Sequence, residues 1–243
     1  MLRTRATARR VLRQLRHDPR TIALLLVVPY VLQLLMYELF QDSPGVFQSL
    51  GVPLLGLFPF VAMFIVTSIT MLRERVSGTL ERLLTTPLGR GDLLVGYGIA
   101  FALVAAVQAS LVSTLSFGLL GLESGHRPVA VVTLAIANAV LGMALGLFLS
   151  AFARTEFQAV QFMPAFVLPQ ILLCGLIVPR DEMAEWLQAL SALLPLTYAY
   201  DALARLASTE PLGARFWADV VVVVGVTALA LALGAATLRR RTP

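Results

Sequence analysis

Long apolar runs, separated by short charged segments, make up most of this chain of 243 residues. Six of them are long enough for a helix that crosses the hydrocarbon core of a bilayer, which needs ~20 residues. The predicted spans cover about residues 22–40, 52–72, 93–120, 129–153, 157–178 and 220–238. The fifth run contains Pro164 and Pro169, which break a regular helix. The pattern predicts an all-α membrane protein with six transmembrane helices in one domain, residues 1–243.

Composition supports this assignment. Charged residues make up 14% of the chain and hydrophobic residues 58%, whereas about 25% of the residues of a soluble domain are charged. The net charge is +5, but the basic residues gather at the ends of the apolar runs, where anionic lipid headgroups are the expected partner. We therefore expect contact with membrane lipid and no nucleic-acid binding.

Residues 1–20 contain seven Arg, and Val11, Leu12 and Leu15 share one helical face. This pattern predicts a basic amphipathic helix on the cytoplasmic membrane surface. A signal peptide also begins with a basic region, but the following apolar run, 22–40, exceeds the usual core of about 7–15 residues and has no cleavage site. We interpret that run as a retained first span.

The distribution of arginine predicts the orientation. If both termini are cytoplasmic, the inner segments hold fifteen Arg and the outer segments four, as expected if positive loops stay in the cytoplasm. The outer four are Arg127, Arg180, Arg205 and Arg215. The chain is thus predicted to be a multi-pass protein of the plasma membrane, the bacterial inner membrane, with the segment 73–92 inside.

The cytoplasmic segment 73–92 joins the second and third spans and holds four Arg and three acidic residues. Ser77 or Thr79 can cap a short helix in it, and Pro87 and Gly89 end that helix. The predicted helix has an apolar ridge formed by Leu80, Leu83 and Leu84, beside the charged residues Arg73, Glu74, Glu81 and Arg82. A soluble partner could grip such a ridge; the alternative is a loop resting on lipid headgroups.

Two spans carry a small or polar residue at every fourth position, which allows close approach of helix backbones. We predict that these spans pack on each other through this face; a substrate path along it is the alternative. The packing residues are Gly98, Ala102 and Ala106 in the third span and Asn138, Gly142 and Gly146 in the fourth.

Catalytic machinery is not recognisable. Without Lys the chain has no phosphate-binding loop for ATP, and no nucleophile elbow occurs. His17 and His126 are predicted on opposite sides of the membrane, so they form no metal site. We expect no catalytic residue, metal or cofactor in this chain. Almost no carboxylate lies at membrane depth, where ion coupling usually needs one; Glu38 lies near the end of the first span and Asp219 precedes the sixth.

Aromatic and amide side chains at membrane depth are candidates for a substrate path, because they suit a large amphipathic compound. They are Phe60, Phe64 and Thr67 in the second span and Gln161, Phe162, Phe166 and Gln170 in the fifth. Outside the membrane, residues 179–219 contain apolar residues at helical spacing. They predict either short re-entrant helices, covered by protein, or a surface helix anchored by Trp186 and Tyr198.

Two stretches resemble the permeases of type-2 ABC exporters, most strongly the daunorubicin-resistance branch that exports drugs. Residues 72–87 read Leu-Arg-Glu-Arg-Val-Ser-Gly-Thr-Leu-Glu-Arg-Leu-Leu-Thr-Thr-Pro, similar to the family's Glu-Arg-Glu-x-Gly-Thr-Leu-Glu-x-Leu-Leu-x-Thr-Pro, with Val76 and Ser77 added. Residues 193–203 read Leu-Leu-Pro-Leu-Thr-Tyr-Ala-Tyr-Asp-Ala-Leu, similar to the segment before the family's last span.

The resemblance implies a permease subunit of an ABC exporter that moves a drug, lipid or polyketide-like compound out of the cytoplasm. It implies a second permease subunit, identical or different, and two copies of a cytoplasmic ABC ATPase that carries ATP and Mg. The segment 73–92 would be the coupling helix, with Arg73, Glu74, Leu80, Glu81, Arg82, Leu83 and Leu84 in contact with the ATPase. The alternatives are an ion-coupled secondary transporter that uses Glu38 and, third, a membrane-embedded enzyme.

Overall fold

The computed structural model describes residues 2–79 and 90–237, which form helices, turns and bends without a β-strand. Helices are numbered here in chain order: α1 Leu2–Arg16, α2 Pro19–Leu39, α3 Pro44–Val76, α4 Arg90–Gly118, α5 Pro128–Leu149, α6 Glu156–Phe162, α7 Leu168–Leu173, α8 Glu185–Ser191, α9 Pro195–Ala207 and α10 Ala214–Thr237. A π-helix, Met163–Val167, joins α6 to α7, and Arg180–Glu182 form a 3₁₀ turn.

Within the described residues, five helices are long and apolar enough to cross a membrane. They are Thr21–Leu39 of α2, α3, Val95–Gly118 of α4, α5 and α10. The prediction of an all-helical, multi-pass membrane protein is confirmed. The fifth predicted run is not among the five, because its helix changes to π geometry around Pro164 and ends at Leu173 instead of 178. Gly175 follows with φ of 105°, a conformation that ends the helix.

Proline marks the first turn of several helices whose start could not be predicted from the apolar runs alone. Pro19, Pro44 and Pro128 lie in the first turn of α2, α3 and α5, where the missing N–H costs no hydrogen bond. α1 therefore ends at Arg16, short of the predicted residue 20, and the carboxylate of Asp18 caps α2 by accepting from Thr21 N at 3.2 Å. α3 begins at 44, eight residues before the predicted start, since polar residues of its first turns hid it.

The centre of the bundle is the contact between α3 and α5. A Cβ on Gly142 would lie 2.3 Å from the carbonyl oxygen of Phe60, and one on Gly146 2.4 Å from that of Phe64. Only glycine permits this approach of the two backbones. The predicted pairing of small faces is therefore corrected: α4 and α5 do contact each other, but the glycines of α5 face α3.

The amphipathic helix α1 packs against protein along its apolar side. Val11 and Leu15 are buried in a cluster with Tyr97 and Phe101 of α4. A Cβ on Gly96 would lie 2.6 Å from Cβ of Thr7, so α1 approaches α4 very closely. The expectation that α1 lies on the membrane surface is thus modified, because its apolar face is covered by α4 rather than by lipid.

The bundle has two ends, which we call the Arg73 end and the Arg180 end after their ion pairs. The loops that follow α2, α4 and α9 meet at the Arg180 end, where Gln48 Nε2 donates to Gly121 O at 3.0 Å and Gly125 N to Ala207 O at 3.1 Å. From there α9 enters the bundle. A Cβ on Gly56 would lie 2.4 Å from Leu203 Cδ1, and Gly56 lies about 18 Å along α3 from its start.

Candidate coupling site

Glu74, on the last turn of α3, is the most buried acidic group among the described side chains at the Arg73 end. Its side chain is 8% exposed. Arg10 Nη2 donates to both carboxylate oxygens, at 3.0 and 2.9 Å, and Gln14 Nε2 donates to Oε1 at 3.0 Å. Arg10 and Gln14 are four positions apart and so lie on one face of α1. The buried carboxylate therefore ties α1 to the end of α3.

Arg73, the neighbouring residue, ties the same end of α3 to α6. Its Nε and Nη2 donate to Glu156 Oε1 and Oε2 at 2.8 and 3.0 Å. Both side chains are more than half exposed, so solvent weakens this pair. The hydrogen bond from Arg73 nevertheless holds the pKa of Glu156 below its usual value. Thr155 caps α6 by accepting from Gln158 N at 3.2 Å.

α3 ends directly before the segment that the resemblance assigns to coupling. Ser77 N donates to Arg73 O at 2.9 Å, and Gly78 takes φ of 68°, which turns the chain away from the helix axis. A cavity of about 290 Å³ lies here between α3 and the junction of α1 with α2, lined by Gln14, Glu74 and Thr79 among others. Leu80, Glu81, Arg82, Leu83 and Leu84 lie outside the described residues.

Two of the predicted coupling residues, Glu74 and Arg73, lie at this site, and three further residues form hydrogen bonds with them. Sequence reasoning missed Arg10, Gln14 and Glu156 as site residues. The only sign of this role in the sequence was the i, i+4 spacing of Arg10 and Gln14, which places both side chains on one face of α1. Their partner lies 64 and 60 positions away, so only the packing of α1 beside α3 reveals it.

The proposed substrate-path residues are mostly packed between helices. Phe60, Phe64, Thr67 and Gln170 are fully buried. Phe64 stacks on Phe166 with ring centroids 6.5 Å apart. Thr67 Oγ1 donates to Met143 O of α5 at 3.2 Å, and Gln170 accepts from Leu196 N at 3.3 Å. These four therefore join helices instead of lining an open path in this chain. Exposed surface remains at Gln161, Phe162 and Phe166.

The other predicted residues occupy different surroundings. Gly98 and Ala102 line an apolar groove of about 360 Å³ with Leu231 of α10, Ala106 is half-buried, and Asn138 is buried beside Gly56. Glu38 is exposed at the end of α2 and accepts a hydrogen bond from Gln41.

The Arg180 end holds a second polar cluster that the sequence reasoning did not assemble. Arg180 Nη1 donates to Asp201 Oδ2 at 2.9 Å, and Arg205 Nε lies 3.7 Å from Asp219 Oδ2. Burial raises the pKa of Asp201, and Arg180 opposes this only in part. The two acids and Arg205 lie on α9 and α10, so the cluster joins the loop after α7 to both helices.

The helical architecture and the two sequence motifs match a known transporter family. A profile of the ABC-2 type transporter covers residues 3–206, which include nearly all of α1 and α9 and the segment 73–92. This chain belongs to the ABC-2 type transporter family. The resemblance to a type-2 ABC permease is thus confirmed.

Several relatives share part of the sequence. The chain is 31% identical over 151 residues to the probable multidrug ABC transporter permease YbhR of Escherichia coli, which covers 61% of this chain and 40% of the relative. It is 27% identical over 168 residues to the linearmycin resistance permease protein LnrN of Bacillus subtilis, with 69% and 42% covered. The chain thus spans about two fifths of the length of these relatives.

Proposed function

We propose that this chain is the transmembrane subunit of an ATP-driven exporter that moves hydrophobic or amphipathic compounds out of the cytoplasm. The observation that carries this proposal is the site around Glu74 at the end of α3, which precedes residues 80–89 in the sequence. There Glu74 is bonded to α1 and Arg73 to α6, in a chain of the ABC-2 type transporter family. The names of the relatives, multidrug permease and linearmycin resistance permease, support drugs or antibiotics as cargo.

A separate cytoplasmic ABC ATPase supplies the energy by docking on residues 73–92, and ATP with Mg binds to that subunit. Movement of the docked segment is passed to α3 and α4, which flank it. The Glu74 carboxylate cannot be left unpaired in a protein interior without a large cost, so α1 moves together with the end of α3. We propose two ATPase copies and a second permease subunit, identical or different.

The fifth run acts as a hinged span in this mechanism. Residues 156–173 are helical throughout, which corresponds to about 27 Å, close to the ~30 Å of a bilayer core. Its first part is linked to α3 by the ion pair of Arg73 and Glu156. Its last part is linked to α8, because Ser191 Oγ donates to Leu173 O at 2.8 Å. The π-helix Met163–Val167 lies between these links and allows them to move separately.

With residues 156–173 counted as a span, the chain has six spans. Both chain ends and the Arg73 end then lie in the cytoplasm, as the arginine distribution predicts. This arrangement also favours a re-entrant helix for α9. The side chains Leu196, Leu203 and Leu206 are buried, and α9 enters the bundle beside Gly56. Such a segment is tolerated at membrane depth because protein covers it.

The direct test is co-purification and ATPase activity with an ABC ATPase encoded beside this gene. We expect no ATP turnover by the chain alone, stimulation of the ATPase by the chain, and loss of stimulation in Glu81→Arg. Glu123→Arg is the matched control, because Glu123 is exposed on the opposite end of the bundle. Normal transport with no ATPase bound, driven by a proton gradient and lost in Glu38→Gln, would instead establish a secondary transporter.

A further inference from the structure

An arginine-rich cavity of about 580 Å³ lies at the Arg180 end, within the range of about 300–1,000 Å³ that is usual for ligand pockets. Arg180, Arg205 and Arg215 line it, together with Asp181, Asp201 and Tyr200. The lining carries three guanidinium groups against two carboxylates, and a third carboxylate, that of Asp219, lies 3.7 Å from Arg205 Nε. The arginine available to an anion is therefore Arg215, which has no carboxylate within ion-pair distance among the described residues.

The arginines are only partly satisfied by the protein. Arg180 is paired with Asp201 at 2.9 Å, but Arg205 reaches Asp219 only at 3.7 Å, longer than a hydrogen bond. Nε of Arg180 is buried and has no hydrogen-bond partner among the described residues, and Nε of Arg205 faces the carboxylate of Asp219 beyond hydrogen-bond distance. Arg215 is exposed and forms no ion pair within the described part of the chain. Buried donors in native proteins almost always have an acceptor, and a phosphate offers several oxygens to guanidinium groups.

The position of the cavity favours a lipid as the source of that phosphate. Arg215 lies in the first turn of α10, next to Trp217, which is 60% exposed; exposed tryptophan is typical of the membrane interface. Ala218, Val222 and Gly225 follow Arg215 along one face of α10. No atom lies within 4 Å of the position of a Cβ on Gly225, so this apolar face is open to an acyl chain.

We propose that the cavity binds the phosphate of an anionic phospholipid headgroup, while an acyl chain lies along the face of α10 that starts at Arg215. Arg215 attracts the headgroup at the rim, and Arg180 and Arg205 donate to its oxygens. This site is separate from residues 73–92, and it depends on the membrane location of α10 but not on coupling to an ATPase.

Quenching of tryptophan fluorescence tests the proposal. The full chain contains two Trp, so Trp186→Phe leaves Trp217 as the only reporter beside the cavity. This variant is reconstituted in phosphatidylcholine vesicles that contain a minor fraction of either brominated phosphatidylglycerol or brominated phosphatidylcholine. We expect about fivefold enrichment of phosphatidylglycerol near Trp217, the factor expected for one arginine near an anionic lipid.

In this background, Arg215→Gln should remove most of the enrichment. Arg127→Gln is the matched control, because Arg127 is exposed at the same end but lies outside the cavity, and it should keep the enrichment. Thermal unfolding should be the same for both variants, since Arg215 has no ion pair to lose.

Three results would overturn the lipid assignment. They are equal quenching by the two brominated lipids, an equal loss of enrichment in Arg127→Gln and Arg215→Gln, and binding of inorganic phosphate to the chain without any preference among lipids. Competition by inorganic phosphate, but not by chloride at the same ionic strength, would support a phosphate site that selects phosphatidylglycerol.

Discussion

The two ends of the bundle place their ion pairs in different surroundings. At the Arg73 end, the Glu74 side chain is 8% exposed and accepts three hydrogen bonds from α1. At the Arg180 end, Asp201 is 18% exposed and accepts one hydrogen bond from an arginine of a short turn. The Arg73 end is therefore a joint between long helices with three hydrogen bonds on one carboxylate, whereas Asp201 is held by a single bond from a turn. Both ends keep buried donors without acceptors among the described residues, such as Arg10 Nη1 and Arg180 Nε.

The difference follows from the elements that carry the charges. α1, α3 and α4 are regular helices that pack closely, and their geometry holds Arg10 and Gln14 on a single carboxylate. The Arg180 end is built from a 3₁₀ turn and the short helix α9, with Gly175 as a connection. The function proposed above would use the joint between long helices for coupling, and the proposed lipid site uses the arginine-lined cavity at the Arg180 end.

The largest expected effect is at the Arg73 end. Glu74→Gln leaves Arg10 without its charge partner and should lower the free energy of unfolding by about 2–4 kcal/mol, somewhat less than for a fully buried pair because Arg10 is partly exposed. Thermal or denaturant unfolding in detergent measures this. The double variant Arg10→Met, Glu74→Met should recover most of the loss. A double variant no more stable than Glu74→Gln would contradict a charge-based joint.

The contact between α3 and α5 gives a reference that involves no charge. Gly142→Ala places a Cβ 2.3 Å from the carbonyl oxygen of Phe60, so the backbones must separate, and we expect a loss of about 1–3 kcal/mol. Gly225→Ala is the matched control, because its Cβ would meet open space. Similar unfolding temperatures for the two variants would show that the close approach of α3 and α5 does not limit stability.

At the Arg180 end we expect Arg180→Gln to lower the stability more than Asp201→Asn. Arg180→Gln leaves the carboxylate of Asp201 partly buried without a partner and should cost about 1–2 kcal/mol at neutral pH. Asp201→Asn should cost less than about 1 kcal/mol, because burial already raises the pKa of Asp201 and so disfavours its charged form.

The pH dependence provides the check. Since the cost in Arg180→Gln comes from an ionised Asp201, the difference from the wild type should shrink as the pH falls through the raised pKa of Asp201, which lies above the ordinary value of about 4. Unfolding measured across this range tests the sign. A difference that grows on acidification would rule out Asp201 as the origin.

The smallest effect is expected for the exposed pair of Arg73 and Glu156. Arg73→Gln should change stability by less than about 1 kcal/mol. It should, however, raise the pKa of Glu156 toward its ordinary value, because the hydrogen bond from Arg73 now holds it lower. Titration of the Glu156 carboxyl by NMR measures this shift. An unchanged pKa would mean that the two side chains do not pair in solution.

Much of the fold was predictable because apolar runs determine long helices directly. The positions of α2, α4 and α5 followed from hydropathy to within a few residues. The start of α3 and the end of the fifth run did not, because polar residues in the first turns of α3 and the prolines near 164 obscure the helical pattern. The coupling role proposed for Arg73 and Glu74 rests on the family motif, and Leu80 to Leu84 lie outside the described residues.

Sequence alone determined that this is a helical membrane protein of the ABC-2 type transporter family. In hydrocarbon a helix satisfies its own backbone hydrogen bonds, so a local run of apolar residues is sufficient information. Only the tertiary structure decided that Glu74 meets Arg10, that the glycines of α5 face α3, and that three arginines distant in the chain share one cavity. Such contacts depend on the rotation and close approach of helices that are distant in the chain, and these are set by the packing of all of them together.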